Sequence, residues 1–495
     1  MTARSPWLVL AVVSSALFLI VVDMTVLYTA LPTLTRDLDA SATEKLWIVN
    51  AYSLVVAGLL PGAGALGDCY GHRLMFMIGL VIFGLASLAA GFAPSSAALI
   101  AARAALAVGA AAMMPATLSI IRHSFEDPNE RALAIGIWAA VASGGAALGP
   151  VIGGALLEHF YWGAVFLVNL PVVVLALAMT VAFVPKGKGH GHHPFDPVGS
   201  LQALIGLIGV TLAIKEVAKP DPSITVLVLS TLIGLATLAL FIRRLRHSAN
   251  PMIDLTLFRD PLFAGGVIGA IVSAAALLGV QLVITQRLQL VQGMTPLQAG
   301  LFVLPIPIAS FMAGPIAGMM LGRVGAGRML AVTLAVSGAG ILTYAAGFGH
   351  RGAEIASFVL VGAGIGAAMT AASSAIMLNA AADRAGMAAS VEEVSYEVGG
   401  ALGIAMLGSL MAGVYSSTFA AAGGMGAQAT DSLDGALALA ATLSGPEAER
   451  LLSVANAAFD RATVAVALVA GLALLAAALW VGRISRASRQ APQGA

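Results

Sequence analysis

Residues 64–73, GALGDCYGHR, join two apolar stretches over 46–66 and 74–93. Each stretch is about 20 residues long, which is enough to cross a bilayer as a helix. Residues 64–73 are therefore predicted to form a short loop on one side of a membrane, and their glycines allow a tight turn. Asp68 can pair with a base or a helix amino-terminus, in a contact that holds one conformation and breaks in another. The alternative is that Asp68 only caps a helix.

The same organisation continues along all 495 residues, of which 59% are hydrophobic and 10% are charged. Soluble domains carry about 25% charged residues, so the composition predicts an integral membrane protein. The 56 glycines fit helices that approach closely within a bilayer. Polar residues divide the chain into fourteen predicted spans: 7–33, 46–66, 74–93, 96–121, 134–157, 162–184, 198–217, 223–242, 262–285, 297–321, 328–348, 354–378, 389–415 and 462–482.

Basic residues are distributed unevenly between the predicted loops. Sixteen of the 25 lie on the side of the amino terminus, eight lie on the opposite side, and Arg103 lies inside a span. Because basic loops favour the cytoplasm, both termini are predicted to be cytoplasmic. The first apolar run has no evident cleavage site, so we expect it to remain as a span. The net charge of +1 gives no indication of a nucleic-acid partner.

Two loops carry features of their own. Residues 416–460 are rich in Ala, Gly and Ser, and the helical spacing of residues 431–459 within them predicts a short amphipathic hairpin or, alternatively, a mobile segment. Residues 186–193 contain three histidines without a carboxylate or cysteine among them, so a solvated linker is preferred to a metal site. The sequence has no G-x-x-x-x-G-K-[ST] loop. We therefore expect neither a metal nor a cofactor.

Charges within the predicted spans are candidate functional residues, because a charge at bilayer depth is costly without a partner or a polar cavity. Asp23 lies in span one and is the main candidate to carry a proton. Arg103 lies in span four and needs a carboxylate or a group of carbonyls as its partner. Arg103 either takes part in proton handling or forms a structural ion pair. A permanent pair of Asp23 with Arg103 or another base is the alternative for Asp23.

Residues 390–403, SVEEVSYEVGGALG, place three glutamates within span thirteen. Glu393 and Glu397 are four residues apart and share a helix face, whereas Glu392 points about 100° away. The predicted start of the span puts Glu392 and Glu393 near the interface and Glu397 roughly 10–13 Å deep. We predict that this segment recognises a cation, with Glu397 also a candidate in proton coupling; Glu392 could instead be a solvated interfacial residue.

Soft and aromatic side chains occur near these sites in the sequence and suit lipophilic cations. Taken singly, each is better explained as a packing residue than as a ligand contact. The predicted cation-recognition set adds to the glutamates Asn50, Tyr52, Met113, Trp138 and Tyr396.

Several motifs resemble those of the major facilitator superfamily. Residues 64–73 resemble its loop between spans two and three, with Asp68, Gly71 and Arg73 in place, although Cys69 and His72 replace usual arginines. Residues 322–328, GRVGAGR, are a weak echo of that loop between spans ten and eleven. Residues 103–109 resemble a pattern of span four but depart from it at positions 106 and 107. By this resemblance, the first loop is a conformational gate.

Further motifs resemble one branch of that superfamily, the fourteen-span drug:proton antiporters. Residues 23–32, DMTVLYTALP, and 47–54 fit the branch, although some members have an acid in place of Asn50. Residues 390–399 resemble span thirteen of quaternary-ammonium and methyl viologen exporters. The antiporter signature of span five is matched by five residues: Gly145, Gly149, Pro150, Gly153 and Gly154. The alternative is that these residues serve helix packing alone.

The resemblance implies an all-α integral membrane protein with the major facilitator fold and 14 transmembrane helices. Two six-helix bundles over 1–184 and 262–495 would flank inserted helices over 198–242, with cytoplasmic linkers at 185–197 and 243–261. It also implies a proton-driven multidrug efflux antiporter in a bacterial inner membrane. Its partners would be protons, the lipid bilayer and lipophilic cations such as quaternary ammonium compounds, methyl viologen, dyes and biocides.

Two other functions are compatible with parts of the sequence. A proton-coupled transporter of a metabolite or lipid would share the fold, but the glycine-rich motif of span five and the glutamates argue against it. A receptor or assembly factor would not need buried carboxylates. We expect a monomer, since the implied fold needs no partner chain.

Overall fold

The computed structural model describes residues 5–186, 196–217, 222–248, 251–422 and 427–490. All regular secondary structure in these residues is helical, and they contain no β-strand. Within these described ranges, fourteen helices are long and apolar enough to cross a membrane, which confirms the predicted number of spans. The three histidines of the first linker lie outside the described residues, as do residues 423–426 of the long loop.

We number the fourteen spanning helices α1–α14. Their bounds are Pro6–Asp37, Ala42–Tyr70, His72–Gly91, Ser96–Ser124, Pro128–His159, Asn169–Phe183, Pro197–Val217, Ile224–His247, Pro261–Gln286, Pro305–Val324, Ala326–Ala346, Arg351–Asn379, Ala385–Ala421 and Pro446–Gln490. Short helical turns, Ala164–Leu167 and Pro296–Val303, precede α6 and α10. The side of the molecule where α1 begins and α14 ends is here called the terminal face, and the other side the opposite face.

Polar caps start several helices earlier than the apolar pattern alone predicts. Ser41 and Glu44 form a capping box at the start of α2. Asp127 accepts hydrogen bonds from two backbone N–H groups at the start of α5, and Pro128 takes the first helical position. Such caps satisfy N–H groups that the first turn leaves free, so α5 begins at Pro128 although its apolar span was predicted from residue 134.

The two short loops that resemble each other in sequence also turn in the same way. Gly71, between α2 and α3, has φ 101°, and Gly325, between α10 and α11, has φ 84°. A side chain is strained in this region of φ, whereas glycine adopts it readily. Each loop thus consists of a single glycine that ends one helix and starts the next, which is the arrangement expected of two related halves.

Buried apolar side chains form two main clusters. One is built largely from α1–α6 and the other from α9–α14. The first cluster also takes in Phe263 of α9, Ile376 of α12 and Met387 of α13. All three lie close to the terminal face, so the two halves of the molecule share a packed core there.

Close helix contacts between the halves also lie toward the terminal face. A Cβ added at Gly136 of α5 would approach the carbonyl oxygen of Gly314 in α10 to 2.5 Å. A Cβ at Gly318 would meet Ala132 at the same distance. Near the opposite face, Gly154 of α5 has nothing within 4 Å of the equivalent position. The two halves therefore touch at the terminal face and separate toward the opposite face.

The long loop is shorter than predicted because its flanking helices extend into it. α13 continues to Ala421, and α14 begins at Pro446 rather than at residue 462. Between them lie two short helices, Ala427–Asp431 and Leu433–Ala440. The Tyr415 hydroxyl of α13 donates to the Ala429 carbonyl at 2.9 Å. The described part of the loop is therefore largely helical, and the polar region from Pro446 onward is the start of α14 and not half of a hairpin.

Candidate functional site

Asp23 and Arg103 form a buried ion pair in the first half of the molecule. The Arg103 Nη1 donates to Asp23 Oδ2 at 2.8 Å, and each residue is only 2% exposed. Asn169 Nδ2 donates to the other carboxylate oxygen at 3.0 Å and lies 3.1 Å from Ser87 Oγ. Both oxygens of Asp23 are thus engaged, and its charge is compensated in this conformation.

The rest of the Arg103 guanidinium is held by α2. Its Nε lies 3.4 Å from the carbonyl oxygen of Ile48, and its Cζ lies 4.5 Å from the centre of the Tyr52 ring. The pair is therefore part of a network that joins α1, α2, α4 and α6. The sequence analysis had missed Asn169, although an amide within an apolar span is a signal that could have identified it.

The glycine-rich face of α5 packs beside this pair. A Cβ at Gly145 would lie 3.1 Å from Val21 Cβ, and one at Gly153 would lie 3.2 Å from Val26 Cγ1. At Gly149 an added Cβ would overlap Thr25 of α1. These glycines bring α5 against the segment of α1 that carries Asp23. Pro150 and Gly154 are exposed and do not belong to this contact.

Glu392 and Glu393 are buried in the second half of the molecule. Glu392 is 0% exposed and accepts a hydrogen bond from the Ser373 hydroxyl of α12. α13 begins at Ala385, which places Glu392 about 10 Å and Glu397 about 18 Å along the helix. The interpretation of Glu392 as a solvated interfacial residue is therefore wrong, because α13 starts earlier than predicted and α12 covers this side chain.

These two carboxyl groups have little compensation. One oxygen of Glu392 and one of Glu393 are buried without a hydrogen-bond partner. Neither residue takes part in an ion pair within the part of the chain that the structure describes. Because a buried and unpaired charge is costly, this pair of carboxyl groups requires a proton or a cation.

Glu397 lies further along α13 and is only partly buried. Its charge interacts with that of Lys215, on the last turn of α7. The Lys215 Nζ donates to Asn50 Oδ1 at 2.8 Å and to Ser53 Oγ at 2.6 Å. Lys215 is one of the eight basic residues that the sequence assigned to the opposite side, and its ammonium contacts α2. Asn50 therefore contacts an ammonium group that belongs to the protein.

The predicted aromatic and methionine residues separate into two groups. Met113 and Trp138 are buried in the core of the first half, where Trp138 Nε1 donates to Thr117 Oγ1 at 3.1 Å. This location favours the packing alternative for both. Tyr52 lies under Arg103, and Tyr396 is on α13 beside the glutamates.

Tyr28 of α1 is a candidate that the sequence analysis had missed. It is 64% exposed, yet its hydroxyl interacts electrostatically with Arg103 and Glu397. Its exposed surface therefore belongs to the space between the halves.

The Asp68 carboxylate joins the two halves at the terminal face. Its oxygens accept hydrogen bonds from the backbone N–H groups of Gly386 at 2.8 Å and Met387 at 2.9 Å. Both groups lie in the first turn of α13, where the helix dipole favours a negative charge. His72 Nε2 lies 3.3 Å from the same carboxylate. Asp68 thus caps a helix, but one that belongs to the other half.

Further contacts close the terminal face around Asp68. A Cβ at Gly64 would overlap the carbonyl of Gly386, so α2 and α13 meet without side chains between them. The Arg122 guanidinium donates to the carbonyl oxygen of Ala380. Arg384 and Asp254 form an ion pair at 3.1 Å.

Arg73 was predicted to take part in the gate, but it makes a contact within the first half. Its Nη2 donates to the carbonyl oxygen of Val181 at 3.0 Å. Arg73 therefore links α3 to α6 and does not reach α13 in this conformation.

A second buried arginine lies near the opposite face of the second half and was also missed. Arg287 Nη1 lies 2.9 Å from Glu354 Oε1, and its Nε lies 2.8 Å from Asp460 Oδ1. Its guanidinium stacks at 4.1 Å on the ring of Phe348. Residues 287–291 form a π-helical turn at the end of α9. The cluster ties this turn to α12 and α14.

Known proteins resemble this chain over nearly its whole length. A sequence profile described as Major Facilitator Superfamily matches residues 13–309. The methyl viologen resistance protein SmvA of Salmonella typhimurium is 38% identical over 98% of this chain and 99% of its own length. The multidrug efflux pump LfrA of Mycolicibacterium smegmatis is 39% identical over 97% of both chains.

Solved structures resemble the fold at low sequence identity. The human organic anion transporter MFSD10 superposes with a TM-score of 0.63 at 14% identity, over 95% of this chain and 99% of its own. The proton:xylose symporter XylE superposes with a TM-score of 0.59 at 11% identity, over 97% and 95%. At these identities the likeness concerns the fold alone.

Proposed function

Because this chain belongs to the major facilitator superfamily, and is thus a multi-pass membrane transporter and not an enzyme, we propose that it is a proton-driven antiporter for lipophilic cations. The substrate class would include quaternary ammonium compounds, methyl viologen and cationic dyes and biocides. The names of its relatives, a methyl viologen resistance protein and a multidrug efflux pump, support an exporter of drugs. The carrying observation is the pair of uncompensated carboxyl groups of Glu392 and Glu393, which require a proton or a cation.

The proposed orientation places the terminal face in the cytoplasm of a bacterium, with the protein in the inner membrane. The excess of basic residues on that side supports it, 16 against 8. The conformation described above is then closed to the cytoplasm and open to the outside. In this state, the site would release a substrate outward and take up protons from outside.

The proposed moving units are residues 1–184 and 262–495, with 198–242 as an inserted pair and 185–197 and 243–261 as linkers. Opening toward the cytoplasm requires that Asp68 leave the first turn of α13. The two hydrogen bonds to Gly386 and Met387 would then break together. The single-glycine loops at Gly71 and Gly325 would move with their helices. A monomer is sufficient for this motion.

Proton coupling is assigned to Asp23, with Arg103 as its counter-charge and Glu397 as a second titrating group. A proton that binds Asp23 removes the charge that holds Arg103 and so weakens the network of four helices. Cation recognition is assigned to Glu393 and Glu397, with Glu392 beside them. Protons and substrate cations compete for carboxylates, which gives exchange without ATP.

The direct test is proton release from the purified full-length protein in weakly buffered solution. Adding ethidium should release protons, because a bound cation replaces a proton on a glutamate, whereas a neutral dye of similar size should release none. Vesicle transport of ethidium against its gradient should require a proton gradient. Binding of a neutral metabolite without any response to ethidium would overturn the proposal in favour of a metabolite transporter on the same fold.

A further inference from the structure

Lys215 carries a positive charge from the inserted helices to the predicted site. It lies two residues before the end of α7, and its ammonium donates to Asn50 and Ser53 of α2. Both acceptors are neutral oxygens. The hydrogen bonds therefore position the charge without cancelling it.

α7 holds this position because it packs closely on α2. A Cβ at Gly58 would lie 2.6 Å from Leu204 Cδ1, and one at Gly62 would lie 3.2 Å from Ser200 Cβ. The neighbouring α8 is less buried than α7. In its most apolar stretch 17% of the residues are buried, against 33% in that of α7. The inserted pair is thus asymmetric: α7 belongs to the wall of the site, and α8 covers α7 on the outside.

The ammonium of Lys215 has a counter-charge, but not at ion-pair distance. No acid lies within 4.0 Å of Lys215 Nζ among the residues described here. α7 packs in contact with α13, which carries Glu397, and Glu397 is the acid whose charge acts on Lys215. Glu397 is partly exposed, unlike Glu392 and Glu393.

We propose that Lys215 is a built-in cation that competes with the substrate for Glu397, and thereby determines how much positive charge the site accepts. This inference rests on the proposed recognition of cations by Glu397. When no substrate is bound, the positive charge of Lys215 partly compensates the negative charge of Glu397, although the two groups are not at ion-pair distance. When a substrate cation enters, it is repelled by Lys215 and attracted by Glu397, and the balance decides its affinity. The inserted helices thus contribute a residue that determines specificity.

The competition has a quantitative consequence for substrates of different charge. Coulomb energy is proportional to the product of the two charges. Removing the charge of Lys215 should therefore improve the binding free energy of a dication by twice as much as that of a monocation at the same position. If a monocation gains about tenfold in affinity, a dication gains about 100-fold.

The test measures dissociation constants of the purified full chain for ethidium, a monocation, and methyl viologen, a dication. It is performed at about pH 8, between the ordinary pKa values of a carboxyl group and of an amine. The variants are Lys215→Gln and the charge-retaining Lys215→Arg. The matched control is Lys45→Gln, which removes the same charge from an exposed site at the start of α2.

We expect Lys215→Gln to bind both cations more tightly, with the larger gain for methyl viologen, while Lys215→Arg and Lys45→Gln resemble the wild type. A second variant, Asn50→Asp, supplies a carboxylate to Lys215 and should also strengthen binding, with the ammonium retained. Folding is checked by the thermal midpoint of each variant.

Unchanged or weaker binding by folded Lys215→Gln and Asn50→Asp would overturn the inference and leave the proposed function standing. Equal gains for the two cations would also overturn it, because a charge effect must scale with charge. If the wild type bound neither cation, the proposed function and this inference would fail together.

Discussion

The two groups of buried acids in this molecule differ in how their charge is compensated. Asp23, in the first half, has both oxygens engaged by Arg103 and Asn169. Glu392 and Glu393, in the second half, each retain a buried oxygen without a partner. A compensated charge is stable until a proton or a movement separates the pair, whereas an uncompensated one requires a proton or a cation. The first arrangement suits a switch and the second a binding site.

The strongest test of this difference is Asp23→Asn. Removal of one partner leaves Arg103 buried and unpaired, so the free energy of unfolding should fall by about 3 kcal/mol. Proton-driven ethidium uptake into inside-out vesicles should be abolished. Asp37→Asn, which changes an exposed acid of the same helix, is the matched control.

The double variant Asp23→Asn with Arg103→Gln separates stability from coupling. It should recover part of the lost stability, because no unpaired charge remains, but it should not recover transport. Transport by the double variant would show that the pair is structural and would remove Asp23 from the proton path.

The next largest effect is expected for Glu397→Gln, which removes a negative charge from the proposed cation-binding site. Ethidium should bind about tenfold more weakly, because one Coulomb attraction is lost, and a neutral substrate should be little affected. The dissociation constants of both are measured on purified protein, with the exposed Glu158→Gln as control. An equal loss for charged and neutral substrates would argue against charge recognition.

Asp68→Asn tests a third way of compensating a buried acid, in which the backbone N–H groups at the amino-terminus of α13 bind the carboxylate. The amide keeps only one acceptor oxygen and no charge, so the closed terminal face should lose about 1–3 kcal/mol of stabilisation. Cys69 is the only cysteine in the chain and adjoins Asp68, which makes it a built-in probe. Its maleimide labelling should become several-fold faster in the variant, and an unchanged rate would show that Asp68 does not hold the gate.

The smallest effect is expected where an acid is compensated outside the membrane. Asp196 accepts hydrogen bonds from Arg244 at 2.6 and 3.0 Å, and these lower the pKa of its carboxyl group. A lowered pKa means that the pair stabilises the fold above the ordinary value of 3.8 and ceases to do so as the pH falls through the folded value. Asp196→Asn should lower Tm slightly at pH 7, since a partly exposed pair is screened.

This small difference in Tm should shrink in high salt and disappear at acidic pH. A difference that persisted under both conditions would show that Asp196 does not act through its charge. The same variant should leave Cys69 labelling unchanged.

The number and type of helices were predictable because a bilayer imposes one requirement on every span, about 20 apolar residues. The ends were less predictable. α13 starts four residues and α14 sixteen residues before their predicted spans, since polar turns can extend a helix beyond the apolar core. That error of four residues is what placed Glu392 wrongly at the interface.

The pairing of residues was predictable only where the chemistry left little choice. An arginine inside a span demands an acid, and Asp23 was among the partners considered for Arg103. The choice of Met113 and Trp138 as ligands of a cation rested on residue type, and both lie in a packed core instead. Residue type indicates what a side chain can contact, but the direction in which it points depends on how its helix is rotated against its neighbours.

The sequence by itself determined that this chain is a helical membrane transporter of the major facilitator superfamily. It also indicated which acids are too costly to be incidental. The membrane helices and the costly acids follow from local properties, namely the length of apolar runs and the cost of a buried charge, whereas the superfamily follows from the resemblance of several motifs to its signatures. Only the tertiary structure decided that Asp68 caps a helix 318 residues away and that Lys215 contacts Asn50 across 165 residues. Such contacts depend on the packing of helices that are distant in the chain, and no local pattern encodes that packing directly.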